Sequence, residues 1–431
     1  MAPGHKASSD ESYLVIGGEG FLGSTLVKAL VNRYHGAPVA SLDIVQRHFP
    51  EKSSWAFHSA DLTSLEQLAK AIRASSATTV FHTASPWTGS GADVCEKVNV
   101  QGTQTIVDAC VQEGVKKLVF TSSAGTVYNG VDLINVDERM PFPDKAIDSY
   151  NATKVRHGAM AKAETIVLEA NGRDGLLTVA LRPAGIFGPG DRQALPGVLD
   201  VLKSGKTNFQ IGGNLNLFDW TYVDNVVEAH LIASERLGAK VSPDVFDTRL
   251  PAVDKSIARR VLPTSTYRPP ALYDIEKKID PSFENTSEPD APLQAARNRF
   301  DQFSYESAGF GNEMSVAGQA FFITNGEPIP FWDFPRAVWA EYNGHVPSFT
   351  IQLPATVGMA FAGIGEVIGK VMGKTPNLTR GKIVYSTVNR YYNIEKARRV
   401  LGYEPVVGMD EGIKRAVAWF KENERATAER P

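Results

Sequence analysis

A glycine-rich turn between a short apolar run and a helical pattern constrains the fold of this chain more than any other feature. The run Tyr13–Ile16 leads directly into GGEGFLG, in which Gly17, Gly20 and Gly23 recur at every third position. Glycines at this spacing allow a tight turn, a close approach of the backbone to a pyrophosphate, and close packing of the following helix. The pattern predicts the first strand, turn and helix of a dinucleotide-binding sheet.

Strand-like and helix-like segments alternate through the first 190 residues. Helical spacing occurs at Phe21–Tyr34 and Cys95–Glu113. Apolar runs typical of strands occur at Tyr13–Ile16, Val39–Asp43, Thr79–His82, Lys117–Thr121 and Leu177–Leu181. Strands that alternate with helices form a parallel sheet with helices on both faces. We therefore predict an α/β protein with a Rossmann-type, doubly wound parallel sheet and a smaller C-terminal substrate lobe.

An acidic residue at the end of the second strand indicates which dinucleotide binds. Asp43 follows Gly23 by 20 residues, where a carboxylate accepts hydrogen bonds from the adenosine ribose. The negative charge of Asp43 would repel a 2′-phosphate, so NAD is favoured over NADP. Asp61 and Leu62, farther along the chain, are the predicted adenine contacts.

The regular alternation of strand-like and helix-like segments ends after Arg182, which predicts more than one structural unit. We expect residues 1–12 to be a flexible leader and 13–237 to be the NAD-binding Rossmann domain, with 183–216 contributing to the substrate lobe. Residues 238–317 are dense in Pro, Ser and charge, which predicts an exposed, partly disordered insertion. Residues 318–431 then supply a last strand of the sheet, at Gln319–Thr324, and the substrate-binding lobe.

Composition excludes several classes of protein. The 431 residues include 45 Lys and Arg against 48 Asp and Glu, and this net charge of −3 argues against nucleic-acid binding. Cys95 and Cys110 are too few for a disulfide framework and indicate a reducing compartment. The sequence has no HExxH motif and no cluster of Cys and His, so we expect no metal site.

A tyrosine and a lysine four residues apart form the second chemical motif. Tyr150 and Lys154 begin and end the segment YNATK, and positions i and i+4 share one face of a helix. The lysine ammonium can lower the pKa of the phenol, whose ordinary value of about 10 makes it a poor base at neutral pH. Ser122 and Ser123 follow a predicted strand upstream, where a hydroxyl can orient a substrate. The order of these motifs predicts an active site on the dinucleotide-binding sheet.

The chain resembles the extended short-chain dehydrogenase/reductase family, and within it the 3β-hydroxysteroid dehydrogenase branch. The resemblance rests on GGEGFLG, VFHTASP, NVQGT, VFTSSAGTVY, YNATK, LRPAGIFGPGD and FDWTYVDNVVEAH, and it covers most of the chain. The segments AGQAFFITNGEPIPFWDF and YYNIEKARRVLGYEP are similar to the fungal sterol-4α-carboxylate 3-dehydrogenase (decarboxylating) group. The resemblance implies NAD-dependent oxidation of the 3β-hydroxyl of a 4α-carboxysterol to the 3-ketone, with loss of carbon dioxide, in sterol biosynthesis.

The resemblance also implies roles for individual residues. Tyr150 would be the general acid/base, Lys154 its activator and a ribose ligand, and Ser123 the partner of the substrate hydroxyl, with Ser122 as the alternative. The implied cofactor contacts are Gly17, Gly20 and Gly23 at the pyrophosphate, Asp43 at the ribose, Asp61 and Leu62 at the adenine, Thr83, Ala84 and Ser85 between ribose and nicotinamide, and Pro183, Gly185 and Ile186 beside the nicotinamide. The cation that meets the substrate carboxylate stays open, with Arg192 and Arg380 as candidates. We expect His82 to be a buried, hydrogen-bonded imidazole and Asn99 to pack a helix.

A location and partners follow from the same resemblance. It implies the cytoplasmic face of the endoplasmic-reticulum membrane, with peripheral or monotopic contact. It also implies a sterol substrate, the other enzymes of sterol C-4 demethylation and a homodimer as partners. Leu353–Gly373 is apolar but carries Glu366 and Lys370, so we expect it to contact the membrane surface rather than to span the bilayer.

Three alternative functions remain open at this point. Another 3β-hydroxysteroid dehydrogenase would share every motif, and a nucleotide-sugar epimerase would share the glycine loop, the serine and YxxxK. An epimerase retains NAD through purification, which would distinguish it. A non-catalytic NAD-binding protein of the same fold would usually lack the Tyr/Lys pair.

The sequence departs from the family after the active-site lysine. Residues 155–160, VRHGAM, are about six more than the family pattern has before its Ala-Glu pair. We expect a bulge or loop between Val155 and Ala161, with the helix broken at Gly158, because glycine is a poor helix former. On that basis, deletion of 155–160 should raise thermal stability without reducing activity.

Overall fold

The protein is described by a computed structural model for residues 11–48, 54–87, 90–128, 130–143, 152–242, 245, 250, 253, 314–372 and 378–428. The first half alternates strands and helices: β1 (Tyr13–Ile16), α1 (Phe21–Arg33), β2 (Val39–Asp43), β3 (Ala56–Ser59), α2 (Leu65–Ser75), β4 (Thr79–His82), α3 (Ala92–Cys95), α4 (Gly102–Gln112), β5 (Lys117–Thr121), β6 (Leu133–Val136), α5 (Ala152–Glu169) and β7 (Leu177–Pro183). A π-helical segment, Glu96–Gln101, joins α3 to α4, and 3-10 turns occur at Ala124–Val127 and Arg173–Gly175. The five strands and two helices predicted for this half are therefore present.

The second half is built from shorter elements. They are β8 (Gly185–Phe187), α6 (Ala194–Lys203), β9 (Phe209–Ile211), β10 (Leu217–Phe218), β11 (Trp220–Tyr222), α7 (Val223–Arg236), β12 (Lys240–Val241), β13 (Met314–Ser315), β14 (Gln319–Ile323), β15 (Ile329–Pro330), α8 (Asp333–Asn343), β16 (Ile351–Leu353), α9 (Ala355–Met372), α10 (Arg380–Thr387), β17 (Arg390–Tyr392) and α11 (Met409–Ala428). A second π-helical segment lies at Ala397–Leu401.

The main sheet has seven strands in the order β14-β7-β5-β4-β1-β2-β3, and every neighbouring pair is parallel. All four residues of β1 are buried: Tyr13 and Val15 pack into one hydrophobic cluster, and Leu14 and Ile16 into a second cluster on the other face. A strand that is buried on both faces is typical of a doubly wound sheet. The predicted fold class is confirmed.

The order of the strands reverses next to β1. The chain goes outward from β1 to β2 and β3 on one side, and continues through β4, β5 and β7 on the other. In sheets of this type, ligands bind beyond the carboxyl ends of the strands at the point of reversal. The glycine turn follows β1 and therefore lies at that point.

A second sheet joins distant parts of the chain, in the order β15-β10-β17-β6. β17 runs parallel to both β10 and β6, while β15 is antiparallel to β10. Strands from residues 133–136 and 390–392 thus lie side by side, although more than 250 residues separate them.

The two segments predicted to be flexible or exposed, 1–12 and 238–317, have buried residues at their ends. Ser12, in the predicted flexible leader, is buried, and its backbone N–H donates to the Thr78 hydroxyl at 3.0 Å. At the ends of the predicted insertion, β12 pairs with β13, and Val316 and Ala317 are buried. Backbone groups beside a sheet need hydrogen-bond partners, which draws these short flanking segments into the fold. The rest of 238–317, apart from three isolated residues, lies outside the described residues.

Candidate active site

The glycine turn has a geometry that larger residues do not fit. Gly17 has a φ angle of +82°, and a Cβ atom built there would lie 2.6 Å from the Ala84 backbone nitrogen. A Cβ atom at Gly23 would collide with the Gly17 carbonyl oxygen. The close approach leaves the loop tight against the first turn of α1. A pyrophosphate fits such a cradle because no side chain fills it.

The start of α1 provides donors for an anion. Gly20 is the N-cap residue and has no side chain to accept from the first N–H groups of the helix. These N–H groups are free of intrahelical partners, and the helix dipole favours negative charge at this end. The residues present therefore suit the phosphates of a dinucleotide.

The three residues predicted between ribose and nicotinamide follow β4, directly beside this turn. The Thr83 hydroxyl donates to the Ile16 carbonyl oxygen at 3.0 Å, so it fastens the end of β4 to the end of β1. Ala84 lies against Gly17, and Ser85 is exposed. The structure thus brings Thr83, Ala84 and Ser85 together with the glycines.

Two carboxylates lie on the other side of the turn. Asp43 ends β2, is partly buried, and accepts the Ile44 N–H at 2.8 Å; burial raises the pKa of its carboxyl group. Asp61 follows β3 and is exposed, and hydrogen bonds from the backbone and hydroxyl of Thr63 hold its pKa below the usual value. Leu62 packs against Gly102 at the start of α4. All three follow strand ends on the predicted adenosine side.

Sequence reasoning missed Glu19, which lies inside the glycine turn. Its carboxylate is buried and accepts from the Ser41 hydroxyl at 2.7 Å and from the N–H groups of Arg47 and His48. Burial alone would raise the pKa of Glu19, but these hydrogen bonds keep it below its ordinary value. Glu19 therefore holds the loop after Asp43 against the glycine turn.

The two serines after β5 have different surroundings. The Ser122 hydroxyl is buried and donates to the Glu164 carboxylate at 2.5 Å. Ser123 is only partly buried, and its Oγ accepts the Gly125 N–H at 3.1 Å, which leaves its hydroxyl hydrogen available. The geometry favours Ser123 over Ser122 as a partner for a ligand.

The helix α5 brings the lysine of the YxxxK motif toward this serine turn. Tyr150 lies outside the described residues. The backbone of Lys154 lies in the first turn of α5, but its side chain is not among the described parts of the chain. One turn further on, the His157 ring lies so close to Gly125 that a Cβ atom there would collide with it. The N-terminal part of α5 therefore packs against the turn that begins at Ser123.

The predicted break in α5 is wrong. The helix is continuous from Ala152 to Glu169 and includes Gly158. Ala159 and Met160 are buried next to this glycine, and Ala163, Val167 and Ala170 are also buried. Packing on both sides of Gly158 outweighs its intrinsic cost of about 1 kcal/mol in a helix.

The residues predicted beside the nicotinamide lie where β7 ends and β8 begins. Pro183 is buried, and Gly185 and Ile186 are partly buried. A Cβ atom at Gly185 would lie 3.2 Å from the Trp220 ring and 3.4 Å from the Phe218 ring. An aromatic wall thus stands directly behind this position, which suits a flat, apolar ligand.

Two buried polar residues near the site differ in their hydrogen bonds. His82 is fully buried, with Nε2 3.0 Å from the Thr103 hydroxyl, and burial lowers its pKa to about 3. A neutral, hydrogen-bonded imidazole was the expected state. Asn99 is buried in the π-helical segment, and neither of its amide atoms has a hydrogen-bond partner among the described residues, so its predicted packing role stays a prediction. Within the described ranges, no group of His, Cys, Asp and Glu has the arrangement of a metal site.

Comparison with known proteins identifies relatives that match along most of the chain. Residues 14–247 match the 3-beta hydroxysteroid dehydrogenase/isomerase family. The chain is 36% identical over 425 residues to the sterol-4-alpha-carboxylate 3-dehydrogenase, decarboxylating, of Saccharomyces cerevisiae, covering 96% of this chain and 99% of that protein. The protein of the same name from Mus musculus is 32% identical over 410 residues, with 94% and 90% covered.

Solved structures share the fold at low sequence identity. An epimerase of Methanothermobacter thermautotrophicus superposes with a TM-score of 0.60 at 18% identity, covering 97% of this chain and 95% of that one. A dTDP-glucose 4,6-dehydratase of Bacillus anthracis, solved in complex with NAD, gives 0.59 at 14% identity, with 96% and 98% covered. These neighbours share the fold of the chain along nearly its whole length. The family match and the relatives along nearly the whole length show that the chain belongs to the 3-beta hydroxysteroid dehydrogenase/isomerase family.

Proposed function

We propose that the protein oxidises the 3β-hydroxyl of a 4α-carboxysterol to the 3-ketone, with NAD as oxidant and loss of the carboxyl group as carbon dioxide. The observation that carries the proposal is the convergence of the glycine turn, Ser123 and the start of α5 at one edge of the sheet. The names of the full-length relatives supply the substrate class.

Each group has a defined task in this proposal. Ser123 holds the substrate hydroxyl, and Tyr150 takes the proton from its oxygen while Lys154 favours the ionised phenol. NAD, when bound at the glycine turn, accepts the hydride from carbon 3. The product carries a ketone beta to the carboxylate. The bond between carbon 4 and the carboxylate can then break, and its electron pair passes to the ketone as an enolate that takes up a proton.

The test replaces the phenol hydroxyl alone. Tyr150→Phe should retain NAD binding and lose roughly two to four orders of magnitude in turnover, the range for removal of a general acid/base. Tyr342→Phe, on α8, is the matched control and should keep full activity. NADH is followed by absorbance and the decarboxylated ketone by mass spectrometry. Near wild-type turnover by Tyr150→Phe would reject the assigned role, and absence of wild-type turnover would reject the function.

We further propose NAD rather than NADP as the working cofactor. The support is Asp43, whose charge opposes a 2′-phosphate, with Arg47 close enough to influence the Asp43 carboxyl group. Asp43→Ala should relax the preference for NAD, because the repelling charge is removed while Arg47 remains to attract a phosphate. Steady-state rates with both cofactors measure the ratio, and an unchanged ratio would contradict the role of Asp43.

Contact with the cytoplasmic face of the endoplasmic-reticulum membrane is part of the proposal, since sterols dissolve in bilayers. No helix within the described ranges is both long and apolar enough to cross a membrane. One face of α9 nevertheless exposes a row of large apolar side chains: Val357, Phe361, Ile364, Val367, Ile368 and Met372. An exposed apolar helix face of this kind can lie in a membrane surface.

Vesicle flotation tests this contact. The wild-type protein should float with sterol-containing phosphatidylcholine vesicles, and the double variant Phe361→Asp, Val367→Asp should stay in the soluble fraction. Val406→Asp, which changes an exposed apolar residue outside this face, is the control. Equal flotation of the double variant and the wild type would reject α9 as the contact.

A further inference from the structure

Arg390, at the start of β17, is enclosed by aromatic rings. Its side chain is buried, and its guanidinium carbon lies 4.4 Å from the ring centre of Tyr128, 5.2 Å from Tyr385 and 5.6 Å from Phe218. Ring faces attract a cation, most strongly where water is excluded. The three rings come from distant parts of the chain, so the second sheet gathers them around this one guanidinium.

No anion neutralises this buried cation within the described part of the chain. No described carboxylate forms an ion pair with Arg390, and its Nε atom has no hydrogen-bond partner. Its polar neighbours, Tyr385 and Tyr392, stay neutral because burial raises the pKa of both phenols. Burial of an unpaired charge is costly, and a ligand that supplies the anion would offset that cost.

The guanidinium lies between two parts of the candidate active site. Tyr128 ends the 3-10 turn that begins after Ser123, and its hydroxyl has no hydrogen-bond partner in the described part of the chain. Phe218 lies 3.4 Å from a Cβ atom built at Gly185, a residue predicted to flank the nicotinamide. Arg390 is therefore next to the walls that would enclose the reacting part of a substrate.

The two arginines considered from the sequence have different surroundings. Arg192 is exposed, and Arg380 is exposed and pairs with Glu366 at 2.8 Å. Arg182, although buried, is held by Glu164. Among these arginines, Arg390 alone combines burial with the lack of a carboxylate partner.

We propose that Arg390 binds the carboxylate of the substrate, an inference that rests on the proposed function. A guanidinium can donate two parallel, charge-assisted hydrogen bonds to the two oxygens of a carboxylate. The carboxylate is on the carbon next to the one that bears the hydroxyl, so a single substrate can reach Ser123 and Arg390 together. Arg390 would then select carboxylated sterols over neutral ones.

The test compares two substrates on four variants: Arg390→Met, Arg390→Lys, Arg192→Met and the surface control Arg73→Met. Arg390→Met keeps an unbranched apolar stem and removes the charge. Arg390→Lys keeps the charge but loses the planar guanidinium that can donate two parallel hydrogen bonds. The substrates are a 4α-carboxy-3β-hydroxysterol and the same sterol with a 4α-methyl group. Arg390→Met should raise KM for the acid roughly 10- to 150-fold, the range for loss of a charged hydrogen bond, and change KM for the methyl sterol less than about threefold. Arg390→Lys should fall between, and the surface control Arg73→Met should match wild type.

The outcomes separate this inference from the proposed function. If the wild-type protein oxidises neither sterol, the proposed function fails and the inference fails with it. If the wild type is active but Arg390→Met weakens both substrates equally, the function stands and the role of Arg390 is wrong. A selective loss with Arg192→Met instead would assign the carboxylate to Arg192. Melting curves and NAD titration check each variant, and failure of both Arg390 variants to fold would show a core role and overturn the proposal.

Discussion

Replacement of Glu164 by glutamine should destabilise the protein strongly, because Glu164 neutralises a buried arginine. The carboxylate accepts from Arg182 Nε at 3.0 Å and Nη2 at 2.5 Å, and from the Ser122 hydroxyl at 2.5 Å. The side chains of Arg182 and Glu164 are 6% and 0% exposed. Solvent cannot replace the lost charge at such burial, so the guanidinium would remain buried without its hydrogen-bonded ion-pair partner.

The expected loss is about 3–5 kcal/mol of unfolding free energy, the cost of removing one partner from a buried ion pair. The double variant Glu164→Gln, Arg182→Met should be more stable than Glu164→Gln alone, because it contains no uncompensated charge. The matched control is Glu96→Gln. Its ion-pair partner Lys162 lies on α5, the helix that also contains Glu164, and 62% of the Lys162 side chain is exposed. That pair should contribute less than about 1 kcal/mol.

Urea unfolding followed by tryptophan fluorescence measures the wild type, the two single variants Glu164→Gln and Arg182→Met, their double variant and the control by linear extrapolation. The reasoning about buried charge would be refuted if Glu164→Gln cost no more than Glu96→Gln. It would also be refuted if Arg182→Met and Glu164→Gln were simply additive, because two groups in direct contact must couple.

Three further predictions concern the glycine turn, a buried acid and α5. Gly23→Ala should weaken NAD binding at least about tenfold by calorimetry, because the new methyl group collides with the loop backbone that holds the pyrophosphate. Burial raises the pKa of Asp219 to about 7, so the folded state keeps a proton that the unfolded state releases above pH 4. Stability should therefore fall as pH rises from about 4 to 7, and the melting temperature of Asp219→Asn should lack this part of the slope. Deletion of 155–160 would move Lys154 to the buried place of Met160, so we expect a lower melting temperature, the reverse of the expectation from sequence; a higher one would contradict the observed packing.

The parts of the fold that could be predicted from the sequence are those with a local signal. The apolar run before Gly17, the recurring glycines and the helical spacing after them lie within about 20 residues, and each follows from backbone sterics and burial. Asp43 could be selected as a candidate because a carboxylate at the end of the second strand has a known distance in sequence from the glycine turn. Ser123 and Ser122 were recognised as a pair, but only the Glu164 contact distinguishes them.

The expectation for Gly158 failed because helix propensity is a weak prior. A glycine in a helix costs about 1 kcal/mol, whereas a single buried methionine or leucine side chain contributes about 1.5–3 kcal/mol. Ala159 and Met160 are buried directly after Gly158, and His157 packs on Gly125 directly before it. Tertiary packing of these neighbours decides the local structure, and only the fold reveals those contacts.

The features that sequence reasoning missed are contacts between distant segments. Arg182 and Glu164 are 18 residues apart on different elements, and the rings around Arg390 come from positions 128, 218 and 385. Neither arrangement leaves a periodic or spaced pattern. The first depends on how α5 packs against β7, and the second depends on how β10, β17 and β6 pair in space. An arginine in a sequence is most often a solvated surface charge. What distinguishes Arg390 is burial without a carboxylate partner beside the predicted reaction centre, and both properties arise only when the second sheet forms.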